Sequence, residues 1–194
     1  MSDDVPLGTK NRGDFSDVRF VFLDRDGVIN RKAPSGAYVI SWDQFELLPG
    51  VERAIADLNK AHRRVIVVTN QRGVALGRIS EPDLLSIHEK LKIHLGSSEA
   101  HVDSIYYCPH DVGQCGCRKP GTGLFQRAFH DFPDARPGHS VMIGDSYSDM
   151  LAGAAMGMKT ILITETRHPD GRALELANAC ARSLLEAVTR YLLQ

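Results

Sequence analysis

Acidic side chains occur in two short segments of the chain that could together hold a divalent cation. Asp24 and Asp26 lie two residues apart in LDRDGVIN, so in an extended chain both carboxylates point the same way. Asp145 and Asp149, in IGDSYSDM, are about one helical turn apart. Carboxylate oxygens are ligands that Mg²⁺ prefers. These four residues predict a magnesium site if the fold brings the two segments together.

Two further segments carry groups that suit an anion. The segment TNQRG begins with the hydroxyl of Thr69, and CGCRKPGTG contains the adjacent cations Arg118 and Lys119. Each of the two segments follows a run of apolar residues, as the two acidic segments do. The four segments together therefore indicate a site for a divalent cation and an anionic ligand.

A cluster of cysteines and one histidine directly precedes the two cations. The segment YYCPHDVGQCGCRKP contains Cys108, His110, Cys115 and Cys117. The spacing C-x-H-x₄-C-x-C supplies three thiolates and one imidazole, a complete tetrahedral shell for zinc with no position left for water or substrate. A structural zinc ion would order a loop that has no core of its own. A redox-active C-x-C pair is the alternative, but it would leave Cys108 and His110 without a role.

The elements that must position these segments alternate between strands and helices. Short apolar runs rich in β-branched residues predict strands over residues 18–23, 65–69, 104–107, 140–143 and 160–164. Helical patterns lie over residues 51–62, 80–95, 124–132 and 149–156, with a last helix from Ser183. This order predicts an α/β domain with one doubly wound, mostly parallel, Rossmann-like sheet and helices on both faces. Ligands bind such sheets beyond the carboxyl ends of the strands, where the four segments fall.

The composition narrows the classes of partner. Residues 1–16 are polar and acidic and are expected to form a flexible tail before a domain over residues 17–194. A formal net charge of −1 gives none of the basic excess of a nucleic-acid binder. No apolar run approaches the roughly 18–20 residues needed to cross a bilayer, and the N-terminus does not read as a signal peptide. A cytoplasmic protein without nucleic-acid or membrane partners is predicted.

Four motifs carry a resemblance to a known family. DRDGVIN, TNQRGVALG, CGCRKPGTG and IGDSYSDM resemble, in this order, the motifs of the haloacid-dehalogenase-like phosphohydrolases. More narrowly, the chain resembles the branch of heptose 1,7-bisphosphate 7-phosphatases and histidinol-phosphate phosphatases, which carries a zinc loop before the motif lysine. Relatives with a cap domain insert it between the first three motifs, and these intervals have no room for one here. The resemblance therefore implies a capless enzyme, for which a monomer is expected.

The resemblance also implies catalytic roles for the matched residues. Asp24 matches the nucleophile that forms an aspartyl-phosphate, and Asp26 matches the general acid and base. A catalytic Mg²⁺ would be held by Asp24, the backbone carbonyl of Asp26 and Asp145. Thr69 and Lys119 would bind the phosphoryl oxygens, where charge spreads in the transition state.

Supporting roles follow from the same resemblance. Asp149 is expected to orient the motif lysine or a metal-bound water. The expected contacts to phosphate or sugar come from Asn70, Gln71, Arg72 and Arg118.

The predicted reaction is removal of the C7 phosphate from D-glycero-D-manno-heptose 1,7-bisphosphate, giving heptose 1-phosphate for nucleotide-activated heptose. GAYVISWDQFELLPG and NQRGVALGRIS resemble the heptose enzymes, the latter better than it does the histidinol enzymes. Hydrolysis of histidinol phosphate or of another small phosphomonoester is the alternative. A zinc-stabilised binding module without activity is disfavoured by the intact carboxylate pair, and nucleic-acid end processing by the charge balance.

Overall fold

Six parallel strands form a single sheet in the computed structural model, which describes residues 13–166 and 168–193. The strands are β1 (Phe20–Leu23), β2 (Arg64–Asn70), β3 (Ser104–Cys108), β4 (Ser140–Gly144), β5 (Lys159–Ile163) and β6 (Ala179–Ala181). Their order across the sheet is β3-β2-β1-β4-β5-β6. From β1 the chain adds β2 and β3 on one side and then β4, β5 and β6 on the other, so the strand order reverses at β1. The carboxyl ends of β1, β2 and β4 therefore surround the position where doubly wound folds bind ligands.

Helices connect the strands in the predicted alternation. They are α1 (Val51–Lys60), α2 (Glu81–Gly96), α3 (Gly123–Asp131), α4 (Tyr147–Ala155), α5 (Gly171–Leu176) and α6 (Leu184–Ala187). A π-helix over Val188–Leu192 follows α6, and short 3₁₀ turns occupy Trp42–Gln44 and Pro137–His139. The predicted α/β class with a doubly wound parallel sheet is confirmed.

The central strand β1 is held by packing on both faces of the sheet. Val21 and Leu23 belong to the core cluster that includes α1, α2 and α6. Phe20 and Phe22 point to the other face, into the cluster that includes α3 and α4. Full burial of each such side chain contributes about 1.5–3 kcal/mol. Asp24, the residue that follows the strand, is therefore held at the end of a strand that is packed on both faces.

Element boundaries differ from the predicted ones by one or two residues, and two elements were not predicted. β1 begins at Phe20, two residues later than predicted, and α4 begins at Tyr147, two residues earlier. The early start of α4 follows from a reciprocal capping box in which Ser146 and Asp149 satisfy each other's backbone N–H groups. β6 and α5 were not predicted, because three residues reading ACA contain no β-branched side chain and α5 is only six residues long.

The predicted tail falls mostly outside the described residues, which begin at Gly13. Phe15, within the predicted tail, is 3% exposed and packs against Tyr191 with ring centroids 5.6 Å apart. The packed domain thus extends to Phe15, two residues before the predicted boundary.

The connections that could hold a cap are short. Between β1 and β2 the described chain contains loops, one 3₁₀ turn and α1, and between β2 and β3 it contains α2 and its loops. The capless architecture is therefore confirmed for this part of the chain. None of the helices in the described ranges combines the length and apolar character needed to span a membrane.

Candidate active site

A cleft with a volume of about 330 Å³ lies at the carboxyl edge of the sheet. It receives side chains from the segments after β1, β2, β3 and β4, as the strand order requires. Its polar lining consists mainly of Asp24, Arg25, Asp26, Lys32, Thr69, Asn70, Gln71, Arg118, Lys119 and Ser146. The predicted convergence of the four motif segments is confirmed.

Three carboxylates lie close together beside this cleft, and one of them, Asp24, lines it. One oxygen from each of Asp24, Asp145 and Asp149 lies within 4.8 Å of the others. Burial, together with the charges of Asp149 and Asp145, raises the pKa of Asp24 to about 7 against the opposing charge of Lys119. A concentration of buried negative charge of this kind fits a divalent cation, which would relieve the repulsion.

The turn after Asp24 is shaped for close approach to these carboxylates. Gly27 has a φ of +93°, and a Cβ at this position would lie 2.1 Å from Oδ2 of Asp145. A side chain there would push Asp145 away, so only glycine lets the first and fourth motifs come together. The turn that follows Asp26 therefore lies directly against the carboxylate of Asp145.

Lys119 is the cation at the centre of the cluster. Its Nζ lies 2.9 Å from Oδ1 of Asp24 and 2.6 Å from Oδ1 of Asp149, and it donates to the backbone carbonyl of Val68 at 2.7 Å. Burial would lower the pKa of Lys119, but the charges of Asp149 and Asp24 raise it overall. Lys119 is therefore a fixed, protonated ammonium beside the predicted nucleophile, and Asp149 contacts it as predicted.

Asp26 is held by hydrogen bonds from three side chains. Nη2 of Arg25 lies 3.0 Å from each carboxylate oxygen, Nδ2 of Asn30 donates at 2.9 Å and Nε2 of Gln71 donates at 2.9 Å. Burial would raise the pKa of Asp26, but the charge of Arg25 and these hydrogen bonds lower it overall. The carboxylate is consequently ionised and fixed in one direction in the resting site.

The side-chain amides of Asn70, the last residue of β2, and of Gln71, which follows it, hold other residues of the site. Nε2 of Gln71 donates to Oγ1 of the buried Thr69 at 2.8 Å as well as to Asp26. Asn70 pairs with the backbone of Lys119, donating to its carbonyl at 3.0 Å and accepting from its N–H at 2.9 Å. These contacts fix Thr69 and Lys119, while the ligand contacts expected of Asn70 and Gln71 stay predictions.

The two arginines expected to touch substrate lie in different places. Arg118 lines the cleft, and its buried Nη1 has no hydrogen-bond partner among the described residues. Arg72 pairs instead with Asp111 of the Cys/His loop and lies outside the cleft lining. The cleft therefore offers an unsatisfied donor at Arg118, whereas the guanidinium of Arg72 is engaged by Asp111 and also hydrogen-bonds to Tyr38.

The Cys/His cluster is assembled at the end of β3. The Sγ atoms of Cys108, Cys115 and Cys117 are 3.2 to 3.5 Å apart, and Nδ1 of His110 lies 3.6 Å from Cys108 and 3.4 Å from Cys117. A disulfide would need about 2.05 Å between sulfurs, whereas a tetrahedral zinc with Zn–S bonds of about 2.3 Å places them roughly 3.8 Å apart. The four donors therefore fit a zinc ion. The last of them, Cys117, is two residues before Lys119 in the chain.

Comparison with known proteins bears on what this cleft does. A HAD-hydrolase-like family model matches residues 116–187. A D-glycero-alpha-D-manno-heptose-1,7-bisphosphate 7-phosphatase of Mycobacterium bovis is 46% identical over 131 residues, covering 67% of this chain and 68% of the relative. A D-glycero-beta-D-manno-heptose-1,7-bisphosphate 7-phosphatase of Vibrio cholerae is 36% identical over 182 residues, covering 90% of this chain and 96% of the relative.

The chain belongs to the haloacid-dehalogenase-like phosphohydrolases, in the heptose-bisphosphate phosphatase branch. The crystal structure of a D,D-heptose 1,7-bisphosphate phosphatase from B. bronchiseptica, complexed with magnesium and phosphate, superposes with a TM-score of 0.78. It is 30% identical in sequence, and the match covers 89% of this chain and 97% of that one. The predicted family is confirmed, and the fold and the four motif segments agree with it.

Three residues of this phosphohydrolase site were not given weight from the sequence. The sequence makes Lys32 only a weak candidate for a ligand contact, with a solvated surface position favoured, yet its Nζ lies 2.9 Å from Oδ2 of Asp145. Arg25 lies between two acids in the sequence, and this position is itself the signal for its ion pair with Asp26. A histidine without metal-type neighbours in the sequence suggests a surface position on a helix, but His88 is 3% exposed. It continues the apolar stripe of Leu84 and Leu91 at helical spacing, which predicts a buried side chain.

Proposed function

We propose that this protein is a magnesium-dependent phosphatase that removes the C7 phosphate of a D-glycero-D-manno-heptose 1,7-bisphosphate. The single observation that carries the proposal is the contact of Asp24 with the buried Lys119, next to a fixed Asp26, at the mouth of an open cleft. The names of the relatives from M. bovis and V. cholerae support the choice of substrate.

The proposed magnesium ligands are Asp24, the backbone carbonyl of Asp26, and Asp145. When bound, Mg²⁺ supplies charge neutralisation between the anionic nucleophile and the phosphate. The bound phosphate in the B. bronchiseptica structure, which also contains magnesium, supports this pairing. Lys32 pairs with Asp145 at 2.9 Å and contributes a second cation at the same edge of the cleft.

In the first half of the reaction, a carboxylate oxygen of Asp24 attacks phosphorus and forms an aspartyl-phosphate. Asp26, which is ionised in the resting site, takes up a proton from solvent before this step. The bond from phosphorus to the C7 oxygen then breaks, and Asp26 passes that proton to this oxygen. In the second half, Asp26 accepts a proton from water as the water oxygen bonds to phosphorus. The bond to Asp24 then breaks, releasing inorganic phosphate and restoring the carboxylate.

Binding groups complete the proposal. Thr69 and Lys119 would hold the phosphoryl oxygens, and Asp149 keeps the ammonium of Lys119 in place at 2.6 Å. Arg118 would use its unpaired donor for the sugar or the second phosphate. Asn70 and Gln71 are proposed as further ligand contacts, and Arg72 would reach the ligand only by leaving Asp111.

A structural zinc ion is proposed for Cys108, His110, Cys115 and Cys117. Its role would be to order the loop from which Arg118 and Lys119 extend into the cleft. A cytoplasmic location, a monomeric state and the absence of nucleic-acid partners stay predictions.

The proposal is tested by the position of the phosphate that is lost. We expect ³¹P NMR of heptose 1,7-bisphosphate with enzyme and Mg²⁺ to show loss of the C7 phosphomonoester and retention of the C1 phosphate. EDTA should stop the reaction, and excess Mg²⁺ should restore it. Loss of the C1 phosphate, or unchanged turnover in EDTA, would contradict the proposal.

A further inference from the structure

A buried arginine and a buried histidine lie directly behind Asp26. The side chain of Arg25 is 1% exposed and His88 is 3% exposed. Nη2 of Arg25 lies 3.0 Å from both oxygens of Asp26, and Nη1 lies 3.3 Å from Nε2 of His88. The three side chains therefore form a continuous hydrogen-bonded row from α2 to the cleft.

The hydrogen bond from the guanidinium of Arg25 determines the tautomer of His88. A guanidinium can only donate hydrogen bonds, so Nε2 of His88 must accept and its proton must sit on Nδ1. Burial, and then the charge of Arg25, lower the pKa of His88 to about 3, which agrees with a neutral ring. His88 thus accepts a hydrogen bond from Nη1 of Arg25 without adding a charge, and Nη2 remains available to Asp26.

Packing alone does not require a polar residue at this position of α2. His88 belongs to the buried face that includes Leu84, Leu91 and Leu95, where a leucine would continue the apolar stripe. Burying a polar ring has a cost unless the ring makes a hydrogen bond. The hydrogen bond that His88 makes is with Arg25, whose guanidinium is confined on another side by the ring of Phe45, 5.5 Å from Cζ.

We propose that Arg25 and His88 are positioning residues for the general acid: His88 orients the guanidinium of Arg25, and Arg25 aims the carboxylate of Asp26 at the leaving oxygen. The inference rests on the proposed role of Asp26 in phosphate ester hydrolysis. Asn30 and Gln71 each hold a single oxygen of Asp26, whereas Nη2 of Arg25 contacts both. The direction of the carboxylate should therefore depend most on Arg25.

The test compares two esters that differ in their need for a proton. A sugar oxygen leaves poorly unless it is protonated, whereas p-nitrophenolate leaves readily as an anion. The value of kcat/KM reports the steps up to departure of the leaving group, so it does not depend on the later hydrolysis of the aspartyl-phosphate. The sugar ester is heptose 1,7-bisphosphate, or the best sugar phosphate of a panel if the wild type does not hydrolyse it.

Two substitutions at His88 separate positioning from packing. His88→Leu fits the apolar stripe and should fold, but it removes the acceptor for Arg25. We expect kcat/KM to fall about 10- to 100-fold with the sugar ester, and to stay within about twofold with p-nitrophenyl phosphate. His88→Gln keeps an acceptor and should restore most of the sugar-ester activity. Arg25→Lys keeps a buried cation but cannot reach both Asp26 and His88, so it should repeat the His88→Leu pattern.

If folded His88→Leu loses kcat/KM equally with both esters, or loses none with either, the positioning role is refuted. Asp26→Asn separates this failure from a failure of the proposed function. If Asp26→Asn spares p-nitrophenyl phosphate while His88→Leu shows no ester dependence, only the positioning role is refuted. If Asp26→Asn itself lowers kcat/KM equally with both esters, the assignment of Asp26 as general acid is wrong.

Discussion

Substitution of Asp24 by asparagine should lower kcat by at least about 10⁴-fold and leave the fold intact. The amide has the same shape as the carboxylate but cannot attack phosphorus, so no aspartyl-phosphate forms. Lys119 retains Asp149 at 2.6 Å, so the buried ammonium remains paired in the variant. The loss should therefore be a loss of chemistry and not of structure.

The stability of this variant gives an independent check. Burial raises the pKa of Asp24 to about 7, above its value in an unfolded chain, so the ionised carboxylate opposes folding at higher pH. A neutral amide removes that opposition, and the thermal midpoint at pH 8 without Mg²⁺ should be equal to or higher than that of the wild type. Asp43→Asn, at an exposed acid in the 3₁₀ turn, is the matched control and should keep full activity. Substantial turnover by Asp24→Asn would refute the nucleophile assignment.

Loss of the Cys/His cluster is expected to have the second largest effect on activity. This is so although the proposed role of its four residues is structural and not catalytic. Cys115→Ser should abolish zinc binding and lower kcat/KM by about 10²-fold or more, comparable to removing a transition-state donor. The reason is distance along the chain: Cys117 is two residues from Lys119, whose ammonium must reach Asp24 at 2.9 Å. Without the ion, a loop that has no core of its own leaves that lysine to its hydrogen bonds with Asn70 and its ion pairs alone.

Metal analysis of the purified protein measures this directly, with about one zinc per chain expected for the wild type and none for Cys115→Ser. Cys180→Ala is the matched control, because Cys180 is buried in the separate cluster beside α5 and should not affect zinc or activity. Absence of zinc from carefully purified, active wild-type protein would favour the redox alternative for the cysteine pair.

The sequence allowed the main features of the site to be predicted because they depend on local rules. Parallel strands end at one edge of a sheet, so motifs after β1, β2, β3 and β4 had to converge near the switch at β1. The cysteines and His110 could be assigned to one cluster because their spacing is short and the loop is confined between β3 and α3. The family resemblance then supplied roles that spacing alone leaves open.

Features that depend on long-range packing were not predictable in the same way. The contact of His88 with Arg25 joins residues 63 positions apart, and it exists only because the tertiary fold brings α2 beside the segment that follows β1. Asn70 pairs with the backbone of Lys119, 49 positions away, through the particular path of two loops. Lys32 reaches Asp145 across 113 positions from a segment without regular structure. In each case the residue type was visible, but its partner was set by the tertiary fold.

The choice of substrate is the central claim, and relative turnover tests it most directly. We expect kcat/KM for at least one anomer of D-glycero-D-manno-heptose 1,7-bisphosphate to exceed that for histidinol phosphate by about 10²-fold or more, since a site built to bind one set of polar groups rejects a ligand without them. Comparing the alpha and beta anomers in the same assay also decides between the two kinds of named relative. Faster turnover of histidinol phosphate than of either anomer would contradict the account.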